Sequence, residues 1–147
     1  MRVSVIGGSR VGEKHAAQAR TVGRLLAEAD YEVVCGGLGG VMEAACRGAS
    51  EAGGHTIGIV PGVDRSVANE YVETAIATGI GDARNVLVAM NGDAAIAIDG
   101  ATGTLSEIAL ALNDDKPVAG LDTHDVDGVE AVETPRQAVD YVQRELS

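Results

Sequence analysis

The sequence predicts an α/β fold in which a doubly wound, mostly parallel sheet carries helices on both faces. Two observations support this prediction. Short apolar runs alternate with longer amphipathic stretches, and runs such as 94–98 are apolar at every position. Strands that are covered on both faces of a sheet show such continuous apolar runs. A length of 147 residues is typical of one domain, so we expect residues 1–147 to form a single domain.

The predicted strands and helices alternate regularly. Strands are expected at 3–6, 32–35, 56–60, 73–77, 94–98 and 118–121, and helices at 13–29, 41–52, 82–90 and 105–113. A last helix should begin after Thr134, because Thr134 offers an N-cap hydroxyl. Pro135 suits the first helical position and Gln137 suits a capping box. The acidic segment 122–128 before this helix is expected to be a solvated loop.

The charge of the chain excludes several classes of partner. Asp and Glu number 22 against 11 Lys and Arg, which gives a net charge of −11. Such a surface repels nucleic-acid backbones and anionic membranes, so we expect neither nucleic acid nor a membrane as a partner.

The chain begins without the apolar segment of a secretory signal, and it has no apolar run of roughly 18 residues that could span a membrane. We therefore expect a cytoplasmic protein. Cys35 and Cys46 do not form a CxxC pair, so we expect two small buried thiols. His15, His55 and His124 lack the spacing of metal ligands, and we expect no bound metal.

Three glycine-rich loops follow predicted strands, the first at 7–10, the second at 36–40 and the third at 99–104. Glycine lets the backbone approach a ligand closely, and the first N–H groups of a helix are unpaired donors in a positive dipole field. In open parallel sheets, ligands bind at the carboxyl ends of the strands. We therefore expect a phosphate-binding site there, although tight turns alone could also explain the glycines. The candidate residues are Gly7, Gly8, Ser9, Gly36, Gly37, Gly39, Gly40, Gly100, Thr102, Gly103 and Thr104.

These loops lack two common nucleotide-binding motifs. Glu13 stands where the P-loop pattern GxxxxGK[ST] requires lysine, and no GxGxxG follows the first strand. The sequence therefore excludes an ordinary P-loop NTPase and a standard NAD-binding fold. The second and third loops resemble each other, since 39–45 is similar to 103–109 and Glu43 corresponds to Glu107.

Thr104 and Glu107 allow two interpretations. They could form a capping box, in which Thr104 caps the N–H of Glu107 and the Glu107 side chain returns to the Thr104 N–H, contributing about 1 kcal/mol. Alternatively, the turn holds a phosphate and Glu107 acts on the bound ligand. The sequence leaves both interpretations open.

Arg84 stands at the start of a predicted helix, where a cation opposes the helix dipole. A ligand anion or Glu107 would explain this position, and the alternative is a surface ion pair with Asp82 or a nearby acid. Arg10 could reach the expected phosphate-binding site at the carboxyl ends of the strands, or it could remain a solvated loop residue. The long loop 61–70 could cover the crevice or contact a second subunit.

Segments 36–42, 84–85 and 99–107 resemble the LOG ("Lonely guy") superfamily, whose signatures are a GGG-x-x-GLM-type loop, an Arg-Lys pair and PGGxGTxxE. The resemblance spans about residues 3–121. Segments 37–49 and 103–112 are most similar to a prokaryotic branch related to molybdenum cofactor carrier proteins and, more distantly, to DprA-like domains. The resemblance implies a Rossmann-like homodimer or tetramer that binds a nucleotide-like phosphorylated ligand.

The resemblance also implies a chemistry. LOG enzymes hydrolyse the N-glycosidic bond of cytokinin riboside or adenosine 5′-monophosphate, and no metal or other cofactor is required. The catalytic Arg and Glu of the family fall on Arg84 and Glu107, and its phosphate turn falls on Gly100, Gly103 and Thr104. The alternative is a protein that carries the molybdenum cofactor, a pterin, without catalysis. In a third interpretation, the protein is a structural dimer whose glycine turns hold nothing.

Three residues depart from the family pattern. Asp99 replaces the proline, Ala101 replaces the second glycine of the phosphate turn, and Asn85 replaces the lysine after the arginine. Asp99 adds negative charge near the expected phosphate, and Ala101 adds a Cβ to the turn. The sequence therefore leaves open whether the protein cleaves its ligand or carries it.

The acidic excess is also typical of halophilic proteins. Nine of the 11 basic residues are Arg, and the chain contains no Phe or Trp. We therefore predict that molar KCl stabilises the folded protein, because the acidic surface is suited to high salt. A melting series from low to molar KCl measures this effect, and an unchanged Tm would contradict it.

Overall fold

Seven strands and five helices alternate along the chain in the computed structural model, which describes residues 1–147. The strands are β1 (Arg2–Gly7), β2 (Glu32–Cys35), β3 (Thr56–Val60), β4 (Thr74–Ala77), β5 (Ala94–Ile98), β6 (Val118–Leu121) and β7 (Val129–Val132). The helices are α1 (Glu13–Glu28), α2 (Val41–Glu51), α3 (Asn85–Asn91), α4 (Thr102–Asn113) and α5 (Pro135–Leu146). Short 3₁₀ turns lie at Arg65–Val67 and Gly81–Arg84.

All seven strands form one parallel sheet in the order β4-β3-β2-β1-β5-β6-β7. The chain builds one side of the sheet from β1 to β4 and then crosses to β5 on the other side of β1. The strand order therefore reverses between β1 and β5, and the loops after these two strands diverge. Such a point in an open sheet leaves a crevice in which ligands bind.

Two layers of apolar side chains cover the two faces of the sheet. Helices α1, α2 and α5 pack on one face, where 19 buried residues form the larger core. Helices α3 and α4 pack on the other face, which has a core of 10 buried residues. This arrangement confirms the doubly wound α/β fold. Both predicted buried thiols, Cys35 and Cys46, are free and buried in a third, smaller cluster.

Helices α1 and α2 touch through glycine. A Cβ on Gly23 would lie 1.9 Å from the carbonyl oxygen of Ala45, and a Cβ on Gly48 would lie 1.9 Å from that of Arg20. Each glycine therefore lets the backbone of the other helix come into direct contact. This contact fixes the position of α2, whose first turn lies beside the crevice.

Strand β7 was not predicted. It is a short edge strand whose four residues are partly or fully exposed, so it lacks the continuous apolar run that marks the central strands. The predicted helix 82–90 is also corrected, because a 3₁₀ turn occupies Gly81–Arg84 and the α-helix begins at Asn85. Such turns are frequent at helix starts.

The capping box at Thr104, one of the two interpretations that the sequence left open, does not form. Helix α4 begins at Thr102 rather than at residue 105, and Ala101 is its N-cap without a side-chain hydrogen bond. Thr104 therefore lies inside the first turn, where it cannot act as N-cap. The cap of α5 is confirmed, since the Thr134 hydroxyl accepts a bond from the Gln137 N–H at 3.1 Å and Pro135 follows it.

No helix of the structure has the length and apolarity needed to cross a membrane.

The contact between α1 and α2 gives a stability prediction. Gly23→Ala should lower the free energy of unfolding by about 1–3 kcal/mol or more, because its methyl group meets the backbone of α2. Gly62→Ala is the matched control, since nothing lies within 4 Å of its Cβ position. Denaturant unfolding measures both variants, and equal stability of the two would contradict the close contact.

Candidate functional site

A cleft of about 420 Å³ opens at the carboxyl edge of the sheet, at the point where the strand order reverses. Its volume falls within the range of small-molecule sites. Loops after β1, β2 and β5 contribute to it, together with the start of α4 and the turn before α3. The cleft is lined by Gly7, Gly8, Ser9, Gly36, Met42, Asp82, Arg84, Asn85, Ala101, Thr102, Gly103, Thr104, Ser106 and Glu107.

Nine of the residues proposed from the sequence lie together in this cleft, drawn from all three glycine loops and including Arg84 and Glu107. Four candidates do not line it: Gly37, Gly39, Gly40 and Gly100. Gly40 lies behind the first glycine loop and packs against it. A Cβ on Gly40 would lie 2.2 Å from the Gly8 carbonyl oxygen. Sequence reasoning missed Met42 and Ser106 as lining residues, although both lie in the segments that repeat each other.

Arg84 is buried, with 7% of its surface exposed. Its Nε donates to the carbonyl oxygen of Ile59 at 2.9 Å, and its Nη2 lies 3.5 Å from that of Gly36. The Nη1 donates to the side-chain oxygen of Asn85. All three acceptors are neutral, so the expected alternative of a surface ion pair with Asp82 is wrong. A buried cation without a carboxylate partner is costly and favours a site that receives an anion.

Gly36 makes room for the guanidinium. A Cβ on Gly36 would lie 3.0 Å from Nη2 of Arg84 and 2.9 Å from the sulfur of Met42. A side chain at this position would therefore displace the arginine or the methionine. The need for glycine here is steric, and its φ is not in the left-handed region.

Glu107 projects from the first turns of α4 into the same cleft and is 8% exposed. Burial raises the pKa of its carboxyl to about 7, and the Arg84 guanidinium opposes this effect only in part. The two groups are near enough to interact electrostatically, but they form no salt bridge. Close to neutral pH the carboxyl is therefore present in both protonation states.

The first turn of α4 presents free backbone donors. The first hydrogen bond of this helix runs from the Leu105 N–H to the Ala101 carbonyl oxygen at 3.1 Å, and no side chain caps the turn. The N–H groups of Thr102, Gly103 and Thr104 precede this bond, and these three residues line the cleft. Unpaired N–H groups and the helix dipole together favour an anion at this position.

The turn before α4 explains two departures from the family pattern. Asp99 has φ 51°, a left-handed conformation that aspartate tolerates and that proline cannot adopt. Its carboxylate lies 3.9 Å from the His15 ring and does not line the cleft. Ala101 has φ −122°, outside the left-handed region that favours glycine, so an alanine is accommodated there. The turn is held by Thr123, whose hydroxyl donates to the Asp99 carbonyl oxygen at 2.7 Å.

Asn85, which stands where the family has lysine, connects the two sides of the cleft. Its side-chain oxygen accepts from Arg84, and its Nδ2 donates to the Ser106 hydroxyl at 3.4 Å. Ser106 in turn donates to the Gly103 carbonyl oxygen at 2.6 Å. This chain of bonds links the buried guanidinium to the first turn of α4.

Other candidate groups lie outside the cleft. Arg10 and Glu43 line a neighbouring groove between α1 and α2. Loop 61–70 contributes no lining residue, and Asn69 at its end donates to the Leu38 carbonyl oxygen at 2.9 Å. The loop therefore supports the second glycine loop from outside and does not cover the cleft in this structure.

The SLOG cluster4 family model matches residues 1–145. The chain belongs to the SLOG cluster4 family. This assignment agrees with the resemblance to LOG proteins and molybdenum cofactor carriers that the glycine loops indicated.

Three known proteins are similar to this SLOG chain. A protein of Archaeoglobus fulgidus is 42% identical over 142 residues, which are 96% of this chain and 93% of that protein. A probable cytokinin riboside 5′-monophosphate phosphoribohydrolase of Oryza sativa subsp. japonica is 35% identical over 73% of this chain, but over only 46% of its own length. The structure of the molybdenum cofactor binding protein of Rippkaea orientalis is 32% identical, covering 99% of this chain and 96% of that chain, with a TM-score of 0.93.

The raised pKa of Glu107 gives a prediction about stability and pH. The folded state binds the proton of this carboxyl more tightly than the unfolded state, so Glu107 lowers stability as pH rises from about 4.5 to about 7. Glu107→Gln removes this effect and should be more stable than wild type by roughly 3 kcal/mol at pH 8. At pH 4 the two proteins should differ little.

Urea unfolding at both pH values measures this difference. Glu43→Gln is the control, because Glu43 corresponds to Glu107 in the repeated sequence segment and lies outside the cleft. A stability difference between Glu107→Gln and wild type that does not change between pH 4 and pH 8 would contradict the raised pKa.

Proposed function

We propose that this SLOG protein binds a phosphorylated, nucleotide-like ligand in the cleft, with residues 1–147 acting as one domain. The buried guanidinium of Arg84, which has only neutral partners, is the observation that carries the proposal. The phosphate would lie at the first turn of α4, near the N–H groups of Gly103 and Thr104. Gly7, Gly8, Ser9 and Gly36 line the cleft and would contact the ligand.

We further propose that the protein hydrolyses nucleoside 5′-monophosphates at the N-glycosidic bond. Water attacks C1′ of the ribose while the bond from C1′ to the base nitrogen breaks. The base leaves with a proton, and ribose 5-phosphate is the second product. The reaction balances with water and the nucleotide alone, and it requires no metal or other cofactor.

Arg84 and Glu107 would be the catalytic residues. The Glu107 carboxylate would stabilise the positive charge that develops on the sugar and accept a proton from the attacking water, as carboxylates do in glycoside hydrolysis. A pKa of about 7 suits a general base that works near neutral pH. Arg84 would bind phosphate or ribose oxygens with its planar guanidinium.

The second candidate function is binding and transport of the molybdenum cofactor without catalysis. The similarity to the Rippkaea orientalis protein along 99% of the chain supports it. The replacement of the family lysine by Asn85 supports it as well, because it removes a positive charge beside the proposed catalytic arginine. The same glycine loops and Arg84 would then hold the phosphate of the pterin.

We propose that the protein is a cytoplasmic homodimer, or a tetramer built from dimers. Three large apolar side chains on α3 and α4 are exposed, namely Val86, Met90 and Leu105. Val86 and Met90 are four residues apart and share one face of α3. A second subunit would cover this apolar surface.

Hydrolysis is tested by incubating the protein with AMP and a panel of other nucleoside 5′-monophosphates in molar KCl and separating free base by chromatography. Wild type should release base, at a rate that rises with pH through about 7 as Glu107 ionises. Glu107→Ala should lose about 100-fold or more of this activity, because a general base contributes about that much. It should largely retain ligand binding.

Glu43→Ala is the matched control, because Glu43 corresponds to Glu107 in the repeated segment, and it should keep wild-type activity. Equal rates for Glu107→Ala and wild type would exclude the catalytic role of Glu107. Absence of base release, together with a pterin absorbance in the purified protein, would instead favour the carrier function.

A further inference from the structure

Two thiols lie directly behind the wall of the cleft, and the proposed function does not use them. Cys35 ends β2 and Cys46 lies on α2, and both are fully buried. Their sulfur atoms are 3.5 Å apart. With Met42 they form a small cluster of their own, separate from the two main cores.

We propose that Cys35 and Cys46 are an oxidative modification site, at which a peroxide converts the two thiols into a reversible intramolecular disulfide. The two cysteines are 11 residues apart and stand on either side of the second glycine loop, so the cross-link would close this loop into a ring. In a reducing compartment the dithiol is the resting form.

The positions of the two sulfurs favour this bond. A disulfide has a sulfur–sulfur distance of about 2.05 Å, so the two atoms must approach by roughly 1.5 Å. The segment between them contains Gly37 and Gly40, which have φ values of 80° and 63°, and glycine adapts its backbone easily. Cys35 and Cys46 are the only cysteines of the chain, so no other intramolecular disulfide competes.

Cys35 is the nucleophile of the pair. A hydrogen bond from the Cys46 thiol lowers the pKa of Cys35, and the Gly37 N–H, 3.3 Å from its sulfur, lowers it further against the opposing effect of burial. The interaction with Cys35 and burial raise the pKa of Cys46, which therefore remains a thiol. The thiolate is the form of cysteine that attacks a peroxide, and Cys35 ionises more readily than Cys46, so oxidation begins at Cys35.

The reaction takes two steps. The Cys35 thiolate attacks one oxygen of hydrogen peroxide, the O–O bond breaks, and the released hydroxide takes a proton and leaves as water. The resulting sulfenic acid is attacked by the sulfur of Cys46, the S–O bond breaks, and a second water leaves with the thiol proton. Two thiols lose two electrons in total, and one peroxide is reduced to two water molecules.

The cross-link should also change the cleft. Gly36 follows Cys35 directly and its carbonyl oxygen faces Arg84, while Met42 lies one turn before Cys46. Little free space separates Gly36, Met42 and the guanidinium. Drawing the two sulfurs together therefore displaces Gly36 or Met42 and weakens binding of the ligand, a consequence that rests on the proposed function.

The disulfide is tested on the wild-type protein. After treatment with hydrogen peroxide, denaturation and alkylation, we expect no alkylated cysteine, an intact mass lower by two hydrogen atoms, and full reversal by dithiothreitol. Cys46→Ser should accumulate a sulfenic acid at Cys35 that dimedone traps, and Cys35→Ser should keep a free thiol. Full alkylation of both cysteines after peroxide, or oxidation to sulfinic acid without a disulfide, would overturn the proposal.

The effect on the cleft is measured as the rise in Tm that AMP causes before and after oxidation. We expect a smaller rise for the oxidised protein and recovery with dithiothreitol. An equal rise in a protein whose mass shows the disulfide would overturn the link to the cleft. No rise in the reduced protein would count against the proposed nucleotide ligand, while the mass measurement still decides the disulfide.

Discussion

The buried guanidinium of Arg84 is the interaction on which the candidate site depends. A cation that is 7% exposed and hydrogen-bonded only to neutral acceptors has lost most of its hydration without forming a salt bridge. The surrounding structure holds it there. Ile59 at the end of β3 supplies a carbonyl oxygen, Gly36 leaves the necessary space, and Asn85 accepts a third bond. The positive charge of Arg84 therefore favours an anion in the cleft, although the whole chain carries a net charge of −11.

Glu107 makes the charge of this cleft sensitive to pH. While the carboxyl is protonated, Arg84 and the N–H groups at the start of α4 determine the local charge, and an anion is favoured. When the carboxyl ionises, the same cleft gains a base but loses part of its attraction for an anion. With a pKa of about 7, the Glu107 carboxyl is present in both its protonated and its ionised form near neutral pH. Hydrolysis would use the ionised state, whereas a carrier would need only the binding that Arg84 and α4 provide.

Much of the fold could be predicted from local sequence. Continuous apolar runs such as β5 mark the central strands, and Thr134 with Pro135 marks the start of α5. Strand β7 was missed because it lies at the edge and is only partly buried. The start of α4 was misplaced by three residues, since Thr104 has the residue type of an N-cap and only the backbone of the Asp99 turn shows that the helix begins earlier.

The candidate site was only partly accessible to sequence reasoning. Glycine-rich loops at strand ends indicated where the cleft lies, and the family resemblance singled out Arg84 and Glu107. The burial of Arg84 could not be predicted, because it depends on a contact with Ile59, 25 residues away. The same holds for the support role of Gly40, which packs against Gly8 in the loop after the neighbouring strand β1. Contacts between distant segments, which no local pattern encodes, decide which glycines line the cleft and which stand behind it.

Calorimetric titration of the wild-type protein with AMP and with adenosine tests the anion site most directly, because the two ligands differ only in the phosphate. AMP should bind at least about tenfold more tightly, since charged hydrogen bonds to Arg84 and the α4 donors contribute about 1.5 kcal/mol or more. Inorganic phosphate should compete with AMP. Equal affinities for AMP and adenosine, or no effect of phosphate, would contradict a phosphate site at Arg84.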